Sequence, residues 1–138
     1  MTSPPRAARR AAATVELAVL LPFLCFAFVV TVDYSRIFYF SITVANCARN
    51  GAVYGSADTQ HAVDTSGIDT ASRDDAGNLD STLLHVASST DSTTNPSYVD
   101  VTVTYSFSTI TKYPGVPSQT TITRTVRMRV VPAKPNFS

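Results

Sequence analysis

One residue of this 138-residue chain stands where its chemistry is costly. Glu16, the only Glu, opens an uncharged run of sixteen residues, LAVLLPFLCFAFVVTV, at 17–32. A carboxylate at the edge of hydrocarbon costs on the order of a few kcal/mol unless it reaches the interface or finds a cation. Two readings follow. Glu16 snorkels to the headgroups beside Arg10, or it recruits a cation from another chain, such as an α-amino group at the same depth. The remaining chemistry-bearing residues are sparse. His61 and His85 stand alone in polar surroundings and read as surface or edge residues. Cys25 and Cys47 lie on one expected helix, about 33 Å apart, too far for a disulfide between them. Cys47 is left either buried as a small apolar group or bonded to another subunit. Asp69, Asp74, Asp75, Asn78 and Asp80 lack the D-x-[DN]-x-[DN]-G frame of a calcium loop and read as a solvated acidic face. The sequence holds no G-x-S-x-G, H-E-x-x-H or Gly-rich phosphate loop. No catalytic residue, cofactor-binding residue or metal site is expected, and the chain does not read as an enzyme.

Composition agrees. Hydrophobic residues make up 44% and charged ones 15%, with a net charge of +1. That argues against a solvated disordered chain and against a nucleic-acid binder with a large basic surface. The charge is segregated: residues 56–100 hold eight Asp against one Arg, whereas residues 101–138 hold five basic residues and no acid. Arg124, Arg127 and Arg129 therefore read as one half of an internal or inter-subunit charge match rather than as a site for anionic lipid or nucleic acid.

The elements that must carry these residues begin with the apolar run. Residues 15–32 as a helix cover roughly 27 Å, close to the thickness of a bilayer's hydrocarbon core. Arg6, Arg9 and Arg10 precede it and Asp33 follows, so the positive-inside rule keeps the N-terminus cytoplasmic and exports everything after Asp33. A cleaved secretory signal peptide is the competing reading. Against it stand the length of the run, the lack of a small-x-small site near 29–35, and the Glu at its mouth. Pro22 within the run is tolerable in a membrane helix and predicts a kink. Beyond it, Ile37, Phe40 or Ser41, Val44, Cys47 or Ala48, and Ala52 recur at helical spacing. The expectation is a basic leader at 1–11, one continuous helix over 12–55 with its transmembrane part at about 15–32, and an exported head at 56–138.

Within the head, spacing suggests a weak helix over 67–88. Residues 98–107, YVDVTVTYSF, alternate apolar and polar groups as a strand, and residues 120–131, TTITRTVRMRVV, do so again. A Pro/Gly turn at 113–118 separates them. The expected fold is α+β: a long N-terminal helix, then a small head with a weak helix and an antiparallel β-hairpin.

Three blocks in order carry a family resemblance. Arg9-Arg10-Ala11-Ala12-Ala13-Thr14-Val15-Glu16-Leu17-Ala18 leads into a run interrupted at Leu21-Pro22-Phe23. Asp33-Tyr34-Ser35-Arg36-Ile37-Phe38 follows the run, and Asn46-Cys47-Ala48-Arg49-Asn50-Gly51-Ala52-Val53-Tyr54 comes last. Together they resemble TadE-like proteins, minor pseudopilins of the tight-adherence (Flp-type) pilus system, over residues 9–55. The resemblance implies a pilin-like chain in the bacterial inner membrane, cut by a membrane prepilin peptidase. With Glu16 as fifth mature residue the cut falls between Ala11 and Ala12, and Ala11 stands where the family usually has Gly. It further implies partnership with other pilins or pseudopilins, with the pilus assembly platform and with the lipid bilayer. Glu16 and Pro22 would serve helix–helix assembly, and Asp33, Arg36, Asn46, Ala48, Arg49, Gly51 and Tyr54 form the motif. The alternative is an unprocessed single-pass surface or adhesion protein.

Overall fold

A computed structural model describes residues 6–91, 93, 97–110 and 118–132, with side chains from residue 11 onward. The chain divides into two compact units, Met1–Arg36 and Ile37–Ser138. Helix α1, Arg6–Gly55, supplies the first unit and the opening of the second. It starts six residues before the expected Ala12. Arg6, Ala7, Ala8, Arg9 and Arg10 are all good helix formers, so no sequence signal stops the helix at the leader. It also continues unbroken through Pro22.

In the second unit α1 is followed by helix α2, Thr65–Arg73, and by strands β1 Leu84–Asp91, β2 Tyr98–Ser108 and β3 Gln119–Arg129. The strands form one antiparallel sheet in the order β1-β2-β3. The α+β class and the β2–β3 hairpin agree with the sequence, and the turn expected at 113–118 lies almost wholly outside the described residues. The helix expected over 67–88 is corrected. It ends at Arg73, and its second half is a 3₁₀ turn at Ser81–Leu83 running into β1. The Gly77 region breaks the helix, Asp80 caps the 3₁₀ turn by accepting from the Thr82 N–H at 2.9 Å, and pairing with β2 takes over from Leu84.

The core lies between one face of the sheet and the two helices. Val99, Val101, Val103, Tyr105 and Phe107 of β2 are buried, together with Ile122 and Val130. The buried apolar side chains that α1 gives to the core are Val44, Cys47, Ala48 and Ala52, with Ile37 and Phe40 half-buried beside them. This is the face that the helical spacing singles out. Phe40 meets Tyr105 and Phe107 edge-on at 5.4 and 5.0 Å between centroids. The outer sheet face is polar: Thr102–Thr125, Thr104–Thr123 and Ser106–Thr121 pair their hydroxyls across the strands at 2.8, 3.3 and 3.1 Å. Arg127 closes this face with a bidentate pair to Asp100 at 2.7 and 2.6 Å, an internal charge match.

Candidate assembly site

In the first unit every residue from Ala11 to Phe26 is exposed. Val15, Leu17, Val19, Phe23 and Phe28 each keep more than half their surface open. A helix apolar all round its circumference needs either a protein core or a bilayer around it, and none of this stretch is buried within the chain. Glu16, Pro22 and Cys25 share this exposed surface. Glu16 has no hydrogen-bond or ion-pair partner among the described residues. Thr31 and Ser35 turn their hydroxyls back onto the carbonyls of Ala27 and Thr31, both at 2.8 Å, which satisfies these polar groups within the helix. Asp33 and Arg36 approach at 3.9 Å, one helical turn apart.

In the second unit the Asn46–Tyr54 block divides by role. Ala48 and Gly51 are buried against the sheet and α2. A Cβ on Gly51 would lie inside contact distance of Ser72 Oγ, and 3.1 Å from Val101 Cγ1. Only glycine lets α2 come this close. Tyr54, half-buried, donates its hydroxyl to Asp64 Oδ2 at 2.9 Å. Asp64 in turn caps α2, its Oδ1 accepting from the Gly67 N–H at 2.9 Å. A Cβ at Gly67 would run into the Tyr54 hydroxyl and the Asp64 carboxylate, so a side chain there would have to displace this pair. Asn46 and Arg49, by contrast, face outward. The motif thus mixes residues that build the head with residues that it presents.

The expectation that His61 stands alone is corrected. Its ring lies edge-on to Tyr54, with centroids 4.8 Å apart, and its Nδ1 is 2.8 Å from Asp58 Oδ1. Tyr54, Gln60, His61 and Asp64 line a shallow cleft of about 220 Å³. His85 is exposed, as expected. The importance of Asp64, Asp58 and Ser72 was not read from the sequence, although an Asp three residues before Gly67, at the mouth of α2, is an N-cap signal. Cys47 is fully buried. Burial, and after it the nearby Asp75 carboxylate, raises its thiol above the ordinary range. Asp75 itself accepts from Asn50 Nδ2 at 2.7 Å. Among the described residues no group of three or more His, Cys, Asp or Glu is placed to hold a metal ion.

The carboxyls of Asp64 and Asp58 are lowered. The chief cause is a backbone N–H donor, that of Gly67 for Asp64 and that of His61 for Asp58; the Tyr54 hydroxyl and the His61 side chain add to it. A group lowered in the folded state contributes stability that is present above its unfolded value, about 3.9, and lost as pH falls through the lowered one. The head is therefore expected to lose stability on acidification below about pH 4. Asp64→Asn should be less stable at neutral pH and show a flatter acid limb. Urea midpoints at about pH 7 and about pH 3 test this.

An apolar, unburied helix near the N-terminus, followed by a small α+β head, fits a single-pass membrane protein. The family model described as TadE-like protein matches residues 11–53. No curated protein and no solved structure shows significant similarity to the chain. Under a third of the chain, from Ala11 to Val53, is thus a TadE-like segment. It contains every motif residue named above except Tyr54, which lies one position beyond. A TadE-like segment carried on such a helix fits a pilus-associated membrane protein.

Proposed function

We propose that the chain is a minor pseudopilin of a tight-adherence type IV pilus or secretion system. It is anchored once in the bacterial inner membrane with its N-terminus cytoplasmic and its head exported. Its work is structural rather than enzymatic: associating through the N-terminal helix with other pilins and with the assembly platform. The observation that carries this reading is Glu16 on a helix whose apolar surface is exposed all round, at the place the TadE-like blocks put a carboxylate. A charge there is retained at a cost, and an α-amino group on a neighbouring helix supplies a reason. That cation exists only after cleavage between Ala11 and Ala12 by a prepilin peptidase.

Processing gives the direct test. Co-expression with the cognate peptidase should yield a species beginning at Ala12 by N-terminal sequencing or intact mass. Ala11→Gly should be cut at least as well, and a bulky charged residue at position 11 should block the cut. An unchanged N-terminus with the peptidase active would favour the second reading, an unprocessed anchored surface protein. Release of the chain by alkaline carbonate washing would remove both, leaving a secreted protein freed from its signal peptide.

A further inference from the structure

The part of α1 that belongs to the head has two faces. One is buried on the sheet. The other carries Phe38, Ile42, Arg49 and Val53, at spacings of four, seven and four, which at about 100° per residue fall on one stripe. Phe38 is 70% exposed, Ile42 48% and Val53 53%. Arg49 is exposed in the middle of this stripe and its side chain has no partner among the described residues. A stripe with one exposed cation that has no partner among the described residues calls for a surface that brings a carboxylate to the level of Arg49.

The flanks of α1 differ in charge. On one side Arg124 of β3 reaches α1, donating to Ser41 Oγ at 2.5 Å. On the other, Asn50 donates to Asp75 at 2.7 Å and Asn78 donates to Thr43 Oγ1 at 3.2 Å. The acidic corner after α2, Asp74 and Asp75, therefore lies level with residue 50 along the helix, which is the level of Arg49. Asp74 is exposed, and its carboxylate has no partner among the described residues. When two parallel heads stand side by side without axial shift, the corner of one meets the stripe of the other at the height of Arg49. Stripe against stripe around a two-fold axis would instead oppose Arg49 to Arg49.

We infer that the α1 stripe centred on Arg49 is a docking surface for the Asp74–Asp75 corner of a second copy of this chain. The contact is heterologous. Each copy in a row keeps one open stripe and one open corner, so association propagates or closes into a ring. The inference rests on the proposed function only in taking neighbouring copies as parallel and anchored in one membrane.

Two differently tagged full-length copies, co-expressed in a bacterial membrane that lacks other pilins, provide the test. Wild-type copies should co-purify from detergent. Arg49→Asp and Asp74→Arg should each lower recovery about tenfold. Placing both changes in one chain, or mixing the two single variants, should restore it, because every stripe then meets a corner of opposite sign. Asp74→Arg combined with Asp75→Lys extends the reversal, and protease resistance of the head confirms folding in each variant. The inference is overturned by absent wild-type co-purification, by singles that behave as wild type, by failure of folded double variants to recover, or by stronger association in Arg49→Asp. Loss of the chain from the carbonate-washed membrane would count instead against the anchored reading.

Discussion

Gly51→Leu is expected to leave the head unfolded, and Gly51→Ala to destabilise it despite the better helix former. A methyl at position 51 would press on Ser72 Oγ and sit 3.1 Å from Val101 Cγ1 and 3.3 Å from Ile68 Cγ2. Ile68, Ser72 and Val101 are all fully buried, so the seam between α1, α2 and β2 has nowhere to expand. Overpacking of this kind costs about 1–3 kcal/mol, and the gain in helix propensity from Gly to Ala is about 1 kcal/mol. Packing wins. A net loss of about 1 kcal/mol lowers the melting temperature of a head this size by roughly 4–8 °C. Ser72 offers the control. Its buried hydroxyl has no hydrogen-bond partner among the described residues, so Ser72→Ala alone should be neutral or mildly stabilising. In the double variant it should recover much of the Gly51→Ala loss, a coupling expected only of residues in direct contact. Thermal melting of the detergent-solubilised chain, followed by the near-ultraviolet tyrosine signal, reads all four variants. A Gly51→Ala head melting at or above the wild type, indifferent to Ser72, would overturn the account of this seam.

The second large effect is expected at Glu16. Processing at Ala11–Ala12 would give a mature chain whose α-amino group, ordinarily titrating near 7.7–8.0, is mostly protonated at neutral pH. Pairing it with Glu16 of a neighbour offsets part of the cost of holding both charges at the edge of hydrocarbon. It also favours one axial stagger, since a shifted neighbour leaves both charges unpaired. Glu16→Leu should therefore leave membrane insertion intact or improved while pilus assembly, or cross-linking to partner pilins, falls by about tenfold or more. Glu16→Gln should behave similarly. If Glu16 merely snorkels, both changes will be nearly silent in assembly, and normal piliation in the Glu16→Leu strain would refute the assembly role.

The two strands of the β2–β3 hairpin were legible because local pattern and tertiary environment agree. Val99, Val101, Val103, Tyr105 and Phe107 alternate with polar residues and are all buried, so period two and one-sided burial are the same fact. The face of α1 in the head was legible for the same reason at period 3.6. Strand β1 was not. Its inward positions are Leu84, Val86, Ser88 and Thr90, and only the first two are apolar. Leu79, Leu83 and Val86 fall by chance at helical spacing, and the strand exists because β2 is there to pair with it. Glu16 could be recognised as an anomaly from its neighbours alone, but a partner on another chain leaves no trace in one sequence. The split within the Asn46–Tyr54 block was hidden for a related reason. Nothing in the local residues separates Gly51, which admits Ser72, from Arg49, which faces outward, until α2 is placed beside them.

The seam between α1 and β2 also sets a schedule. Fifty residues separate Gly51 from Val101, which it faces across the core. In the proposed orientation the chain leaves the membrane with residues 37–55 first, and synthesis runs at about 5–20 residues per second, so the helix face waits roughly 2.5–10 s for its strand. During that interval the part of the face from Cys47 onward shows water mainly Cys47, Ala48, Gly51, Ala52 and Gly55, groups too small to hold a wrong partner firmly. The larger Ile37, Phe40 and Val44 come earlier in the helix. A face built of leucine and phenylalanine would pack as well in the finished head, but it would be adhesive throughout the wait, beside other emerging chains at the same membrane. The small residues that let α2 and the sheet approach so closely also keep that stretch of the nascent helix from sticking before they arrive.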